Sequence, residues 1–317
     1  MSTKKTTHTQ GQMKQFADNC HYLGLKLLAE EYPQMVDKAG KDTPGYFEFI
    51  SGIVQAEAAA RQQRRTEYLV KNSRLPQPLN MLAGFDFDFQ PKLDRRLVMD
   101  LASLGFIERH QSILLVGDNG TGKSHIGRSL ALKACQRGYK TYYTTCSELI
   151  NDLNAGVYEK TLDKRIKKYI NPELLLIDEM GHYRLELQVV KEAHLLFKVI
   201  DQRYKDNKPL IFTTNIEEPD WPEFLGDPIS TSAILDRIFH HSVIVRIKGP
   251  SYRKYQGELL QKEYSENNDE MSSPVKKGLV YYHEEKALTS VGAFFCIQIV
   301  NSWLGLIKTG SICSGLL

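Results

Sequence analysis

Cysteine is scarce in this chain and carries no pattern. Cys20, Cys135, Cys146, Cys296 and Cys313 are scattered, with no C-x-x-C pair and no spacing suited to a metal. That excludes a disulfide-framed or zinc-clasped scaffold and points to structural thiols in a reducing compartment. Excess charge is equally lacking: 41 Lys and Arg against 38 Asp and Glu leave a net +3. A globally basic coat for nucleic acid is therefore excluded, and any basic surface must be local. The polar start, Met1 to His8, has no apolar segment behind it, so it does not read as a signal peptide. The expectation is a cytoplasmic protein with no stable membrane association. One uncharged stretch, 287–307, has the length of a membrane span, but Thr289, Ser290, Gln298, Asn301 and Ser302 interrupt it, which argues against a span. What remains is an ordinary globular balance, 42% apolar and 25% charged, with room for two domains.

Against that plain background one stretch carries chemistry. The apolar run Ile113-Leu114-Leu115-Val116 leads into Gly117-Asp118-Asn119-Gly120-Thr121-Gly122-Lys123-Ser124, which fits G-x-x-x-x-G-K-[ST] at every fixed position. Its glycines let successive backbone N–H groups turn inward toward phosphate oxygens. Lys123 would reach the β- and γ-phosphates of ATP, and the Ser124 hydroxyl would ligate Mg²⁺. The run beginning at His125 reads as a helix to Gln136 whose positive end faces the same phosphates.

Further along, Leu174-Leu175-Leu176-Ile177 reads as a buried parallel strand ending in Asp178-Glu179. Strand ends of this kind border the ligand crevice of open α/β sheets. Asp178 would hold the magnesium, directly or through water, and Glu179 would orient or polarise an attacking water; adjacent strand residues face opposite ways, so one acid alone can neighbour the metal. The next strand, 209–215, ends at Asn215, which would bond the γ-phosphate or the water beside it, or else simply cap a turn. Arg237, on a short helix opened by Ser230-Thr231, is placed either to reach a neighbouring subunit's nucleotide or to pair with Asp236 or a nearby acid.

The rest of the chain is read in order. Residues 1–11 are polar and flexible. A helix from Met13 would end at Pro33, with Gly24 a weak point inside it. A second helix, capped by Thr43 with Pro44 in its first turn, would bury Tyr46 or Phe47, Ile50, Ile53 or Val54, and Ala58. Its far end is basic through Arg61, Arg64, Arg65, Lys71 and Arg74 before Leu75-Pro76-Gln77-Pro78 breaks it. The segment 85–91, rich in Phe, would lie over the adenine or strap the sheet, and a helical pattern follows over 92–109. Ser147 would cap a helix, and another over 158–169 is basic through Lys160, Lys164, Arg165, Lys167 and Lys168. Both basic helices suit DNA phosphates or a solvated face equally well. An irregular loop is expected over 217–226, a last helix from Ser251 to about Lys262, and disorder over 265–277.

Together these motifs resemble the IstB-like family of ATP-binding transposition helpers, relatives of DnaC-type helicase loaders within the AAA+ superfamily. The resemblance covers residues 13–263. It is carried by Phe85-Asp86-Phe87, Asp94-Arg95-Arg96, Phe106-Ile107-Glu108-Arg109, the glycine-rich loop, Leu176 to Gly181, Thr213-Thr214-Asn215, Leu235-Asp236-Arg237 and Ser251-Tyr252-Arg253. It implies an α/β fold: a helical DNA- or partner-binding domain over 12–78, then an AAA+ ATPase domain over 79–263 with a five-stranded parallel sheet. Residues 264–317 form a tail that the family does not usually have. Asn215 is similar to a sensor-1 residue, Arg237 to an arginine finger and Arg253 to a sensor-2 arginine in contact with the nucleotide. The implied function is an ATP-dependent regulator that oligomerises on duplex DNA, with nucleotide at subunit interfaces, and recruits or activates a partner transposase. A helicase loader is the alternative.

Overall fold

The computed structural model describes residues 10–181, 189–225 and 228–272. Two compact units divide the chain, 1–258 and 259–317; the described part of the second is the end of the last helix, 259–272.

The first unit opens with three helices, α1 (Gln10–Tyr22), α2 (Lys26–Asp42) and α3 (Tyr46–Asn72). Their boundaries correct the sequence reading. Gly24, at φ +75°, makes the break between α1 and α2, and Pro33 lies inside α2. Pro33 is exposed, so water can serve the carbonyl that it leaves unbonded. Thr43 is the left-handed C-cap of α2 rather than an N-cap; α3 begins after Gly45, whose N–H donates to Glu48 at 3.2 Å. The apolar face expected to be buried on α3 is exposed at Tyr46, Phe47, Ile50 and Val54. Glu57 is buried there instead. Its carboxylate accepts the Leu28 N–H at 2.9 Å, closing the first turn of α2, whose own N-cap position, Leu25, has no side chain able to do so. Burial opposes the Glu57 charge, but the Leu28 N–H and Arg64 at 2.9 Å outweigh it and hold the carboxyl below the usual range.

After α4 (Arg95–Leu101) and α5 (Gly105–Glu108), the sheet strands alternate with helices: β1 (Ser112–Gly117), α6 (Lys123–Gln136), β2 (Thr141–Thr145), α7 (Cys146–Tyr158), α8 (Leu162–Ile170), β3 (Leu174–Met180), α9 (Val189–Lys205), β4 (Leu210–Thr214), α10 (Trp221–Leu225), α11 (Pro228–His240), β5 (Ser242–Ile247) and α12 (Tyr252–Ser272). Where one helix is expected over 92–109 there are two, parted by Leu104 at φ +70°. Thr145, not Ser147, caps α7, and α8 starts at Leu162. The expected loop over 217–226 is helical at Trp221–Leu225, with Trp221 fully buried. Helix α11 starts at Pro228, ahead of the expected Ser230-Thr231 cap, and α12 runs on to Ser272, into the segment read as disordered. The uncharged stretch 287–307 lies outside the described residues.

All sheet pairings are parallel, in the order β2-β3-β4-β1-β5. Alternate residues feed two cores. Leu114, Val116, Leu175 and Ile177 pack toward α7, α9 and α11, while Ile113, Leu115, Leu174 and Leu176 pack toward α4, α5 and α6. A sheet buried on both faces explains the continuous apolar runs of its strands. Arg203, fully buried, ties one margin together by donating to the carbonyls of Tyr169, Pro172, Glu173 and Pro209.

Replacing Glu57 by Ala leaves the Leu28 N–H and Arg64 without their shared partner and should cost about 1–3 kcal/mol. Hydrogen exchange should register the loss in α2 and α3; unchanged protection there would refute this reading of Glu57.

Candidate nucleotide site

The carboxyl ends of β1, β3 and β4 open on one cleft, as expected where strand order reverses in a parallel sheet. The glycine-rich loop forms its floor. Gly120 (φ +83°) and Gly122 (φ +101°) adopt backbone conformations that side chains disfavour. A Cβ at Gly122 would lie 2.5 Å from the Phe85 ring, and one at Gly120 would lie 2.1 Å from Ser251 Oγ. Both positions thus need glycine for space as well as for φ. The turn holds itself through Thr121 Oγ1 donating to Asp118 O at 2.8 Å.

Lys123 is 7% exposed, and its Nζ donates to Gly117 O and Asp118 O, each at 2.7 Å. Burial pulls the Lys123 pKa down, Asp118 and Asp178 push it back up, and nearby Arg253 lowers it. Lys123 and Arg253 both line the cleft, two cations suited to an anion. Ser124, one residue on, donates its hydroxyl to Asp178 Oδ1 at 2.8 Å. His125 does not stand apart from the fold: Nε2 lies 2.9 Å from Met81 O, and the ring packs edge-on to Phe85.

Asp178 is fully buried at the end of β3. Burial opposes its charge, but Thr213, Arg128 and Ser124 together hold its pKa below the usual carboxylate value. Glu179, exposed and at φ +62°, lines the same cleft. Its N–H donates to Thr213 Oγ1 at 3.0 Å. Strain of this kind collects at functional sites. Asn215 lines the same cleft, and its buried Oδ1 has no hydrogen-bond partner among the described residues. A buried unpaired acceptor is costly unless something else supplies a donor. Phe85, Phe89, Tyr252 and Arg253 also line the cleft, and Phe89 packs on Tyr252 and Tyr255. The segment 85–91 thus both straps the fold and borders the cleft.

With the fold and this geometry in hand, comparison with known proteins is decisive. Residues 19–259 match the family described as IstB-like ATP binding protein. The chain belongs to that family. Within it, the chain is 38% identical over 244 residues to a Geobacillus stearothermophilus protein named for ATP binding in insertion sequence IS5376, covering 77% of this chain and 95% of that one. It is 34% identical over 260 residues to the corresponding IS21 protein of Pseudomonas aeruginosa, covering 81% and 95%. Among solved structures, the DnaC helicase loader is similar at 23% identity, with a TM-score of 0.42, over 48% of this chain and 87% of that one.

In this IstB-like chain the remaining expected residues lie away from the cleft. Arg237 donates from Nε to Asp201 Oδ1 at 2.8 Å and from Nη1 to Ala233 O at 2.9 Å, over the Phe197 ring. Its partner is thus the more distant Asp201 rather than the adjacent Asp236. Arg64 is paired with Glu57, Arg65 bonds Gly138 O at 3.1 Å, and Arg74 bonds the Tyr142 hydroxyl at 3.0 Å. Arg165 and Lys168 share Asp152, while Arg61, Lys71, Lys164 and Lys167 are exposed. The residue that sequence reasoning missed is Arg128. Its guanidinium lies 2.7 Å from Asp178 Oδ2 and lines the cleft. The signal was present: Arg128 follows Ser124 by four residues and so shares its helix face.

Removing the Asp178 carboxylate strands Arg128 beside buried groups. Asp178→Ala should cost about 3 kcal/mol, the lower end for a broken buried pair, because Arg128 retains some access to water. Since the folded pKa is depressed, this stabilisation is complete above about pH 4 and is lost as pH falls through the folded value. Urea unfolding at pH 7 checks the magnitude; a change under about 1 kcal/mol would contradict it.

Proposed function

We propose that this protein is an ATP-dependent regulator of transposition that binds duplex DNA as a homo-oligomer, hydrolyses ATP as its switch, and recruits or activates a partner transposase in the cytoplasm. The observation that carries the reading is the convergence of Lys123, Ser124, Glu179, Asn215 and Arg253 on one cleft beyond the strand ends, with Asp178 bonded to Ser124 behind them. Family membership and the insertion-sequence names of its relatives support the client.

In this reading the loop amides of 117–122, with Asn119 and His125 at the rim, cradle the phosphates, and Lys123 and Arg253 offset their charge. Ser124 fits as a magnesium ligand, with Asp178 beside it; the ion, when bound, would neutralise charge on the phosphates. Glu179 lies outside the buried network and is free to hold the attacking water. Asn215 Oδ1, without a partner among the described residues, suits that same water. Arg237 would act on a neighbouring subunit's nucleotide, exchanging Asp201 for phosphate.

For DNA, Arg61, Lys71, Lys164 and Lys167 are the better candidates, because Arg64, Arg65, Arg74, Arg165 and Lys168 already have partners within the chain.

Two measurements test this. Glu179→Gln should retain nucleotide binding and lower hydrolysis at least about 10²-fold; unchanged phosphate release would remove Glu179 from the reaction. Binding to duplex DNA should require ATP and weaken steeply with salt. Lys164→Ala with Lys167→Ala should reduce the log–log salt slope by about 2. An unaltered slope would exclude this helix from the DNA surface.

A further inference from the structure

Asp178 has its coordination already filled from within the chain. Ser124 Oγ, Thr213 Oγ1 and the Glu179 N–H donate to Oδ1; Arg128 Nε at 3.1 Å, Arg128 Nη2 at 2.7 Å and the Tyr143 hydroxyl at 3.1 Å donate to Oδ2. Six donors meet about four lone-pair positions, so the carboxylate has nothing left to offer. One of the donors, Arg128, carries a full charge. It is held in place on two further counts: Nη2 also donates to the Tyr143 hydroxyl at 3.0 Å, and the guanidinium sits 5.2 Å from the centre of the Tyr143 ring. Arg128, Tyr143 and Asp178 form a closed triangle, with two guanidinium N–H groups on one carboxylate oxygen, Oδ2, on its charged side.

This has a consequence for an incoming polyphosphate. A bare carboxylate at the cleft floor would repel it, and a divalent ion would have to arrive with the nucleotide to offset that repulsion. Here the pair is electrically balanced, while Lys123 and Arg253 still face the cleft. We propose that Arg128 is a positioning residue that acts as a built-in counter-cation for Asp178, so that nucleotide binds to this cleft without divalent metal. The proposal rests on the reading of the cleft as a nucleotide site.

The test is ADP affinity of the full chain, by fluorescence titration, in EDTA and in excess Mg²⁺. For the wild type the two dissociation constants should differ by less than about tenfold. Arg128→Met should raise that ratio at least about tenfold further, chiefly by weakening binding in EDTA, and Arg128→Lys, which keeps the charge, should restore most of it. A lost packing contact would weaken both conditions alike and leave the ratio unmoved. A larger wild-type ratio, or an Arg128→Met ratio equal to that of the wild type, overturns the proposal. Should the Met variant fail to fold in a thermal melt, the wild-type and Lys ratios decide it. Absence of ADP binding by the wild type in either buffer overturns the nucleotide reading itself, an outcome distinct from a strong metal requirement.

Discussion

The constraint on which the rest depends is a carboxylate held charged with no access to water. An unpaired charge in such a place is prohibitively costly, so the fold must bring donors to it. Asp178 draws them from α6 through Ser124 and Arg128, from β2 through Tyr143 and from β4 through Thr213. Four elements, α6, β2, β3 and β4, are thereby fixed around one pair of oxygens. The glycine-rich loop lies between β1 and α6, so the same bonds that satisfy Asp178 also set where that loop sits relative to the strand ends.

The pattern of a buried charge binding element ends recurs twice. Glu57 closes the first turn of α2 from within α3, and Arg203 gathers four carbonyls at the other margin of the sheet. Each replaces capping that the local sequence does not provide. Leu25 precedes α2 with no capping side chain, and the carbonyls around 169–173 leave a helix that ends without glycine. The two cores supply the burial; the three charged groups specify how the pieces meet.

How much of this was legible follows from the physics of each element. The strands were readable because a sheet covered on both faces needs unbroken apolar runs, and the loop because its glycines have no substitutes at positive φ. Asp178 and Asn215 were readable as strand-end polar residues. Pro33 misled because an interior proline costs a helix about 3 kcal/mol without having to end it, and at an exposed position water can serve the freed carbonyl. The stripe Tyr46, Phe47, Ile50 and Val54 has helical spacing, yet periodicity shows only that a helix has an apolar face, not that this chain covers it. Arg128 was overlooked because its partner lies 50 residues away, and its charge alone reads as surface. Glu57 was hidden in the same way among the charges of a long helix. Contacts between elements distant in sequence are what a one-dimensional pattern leaves out.

On the proposed function, a terminal phosphate sits between the glycine-rich loop, Asn215 and the Ser124–Asp178 pair. A crystal structure with Mg²⁺ and a non-hydrolysable ATP analogue tests it most directly. Lys123 Nζ should turn from the Gly117 and Asp118 carbonyls onto the β- and γ-phosphates, with Asn215 beside the γ-phosphate. A nucleotide bound elsewhere, or Lys123 still on those carbonyls with the analogue in the cleft, would contradict it.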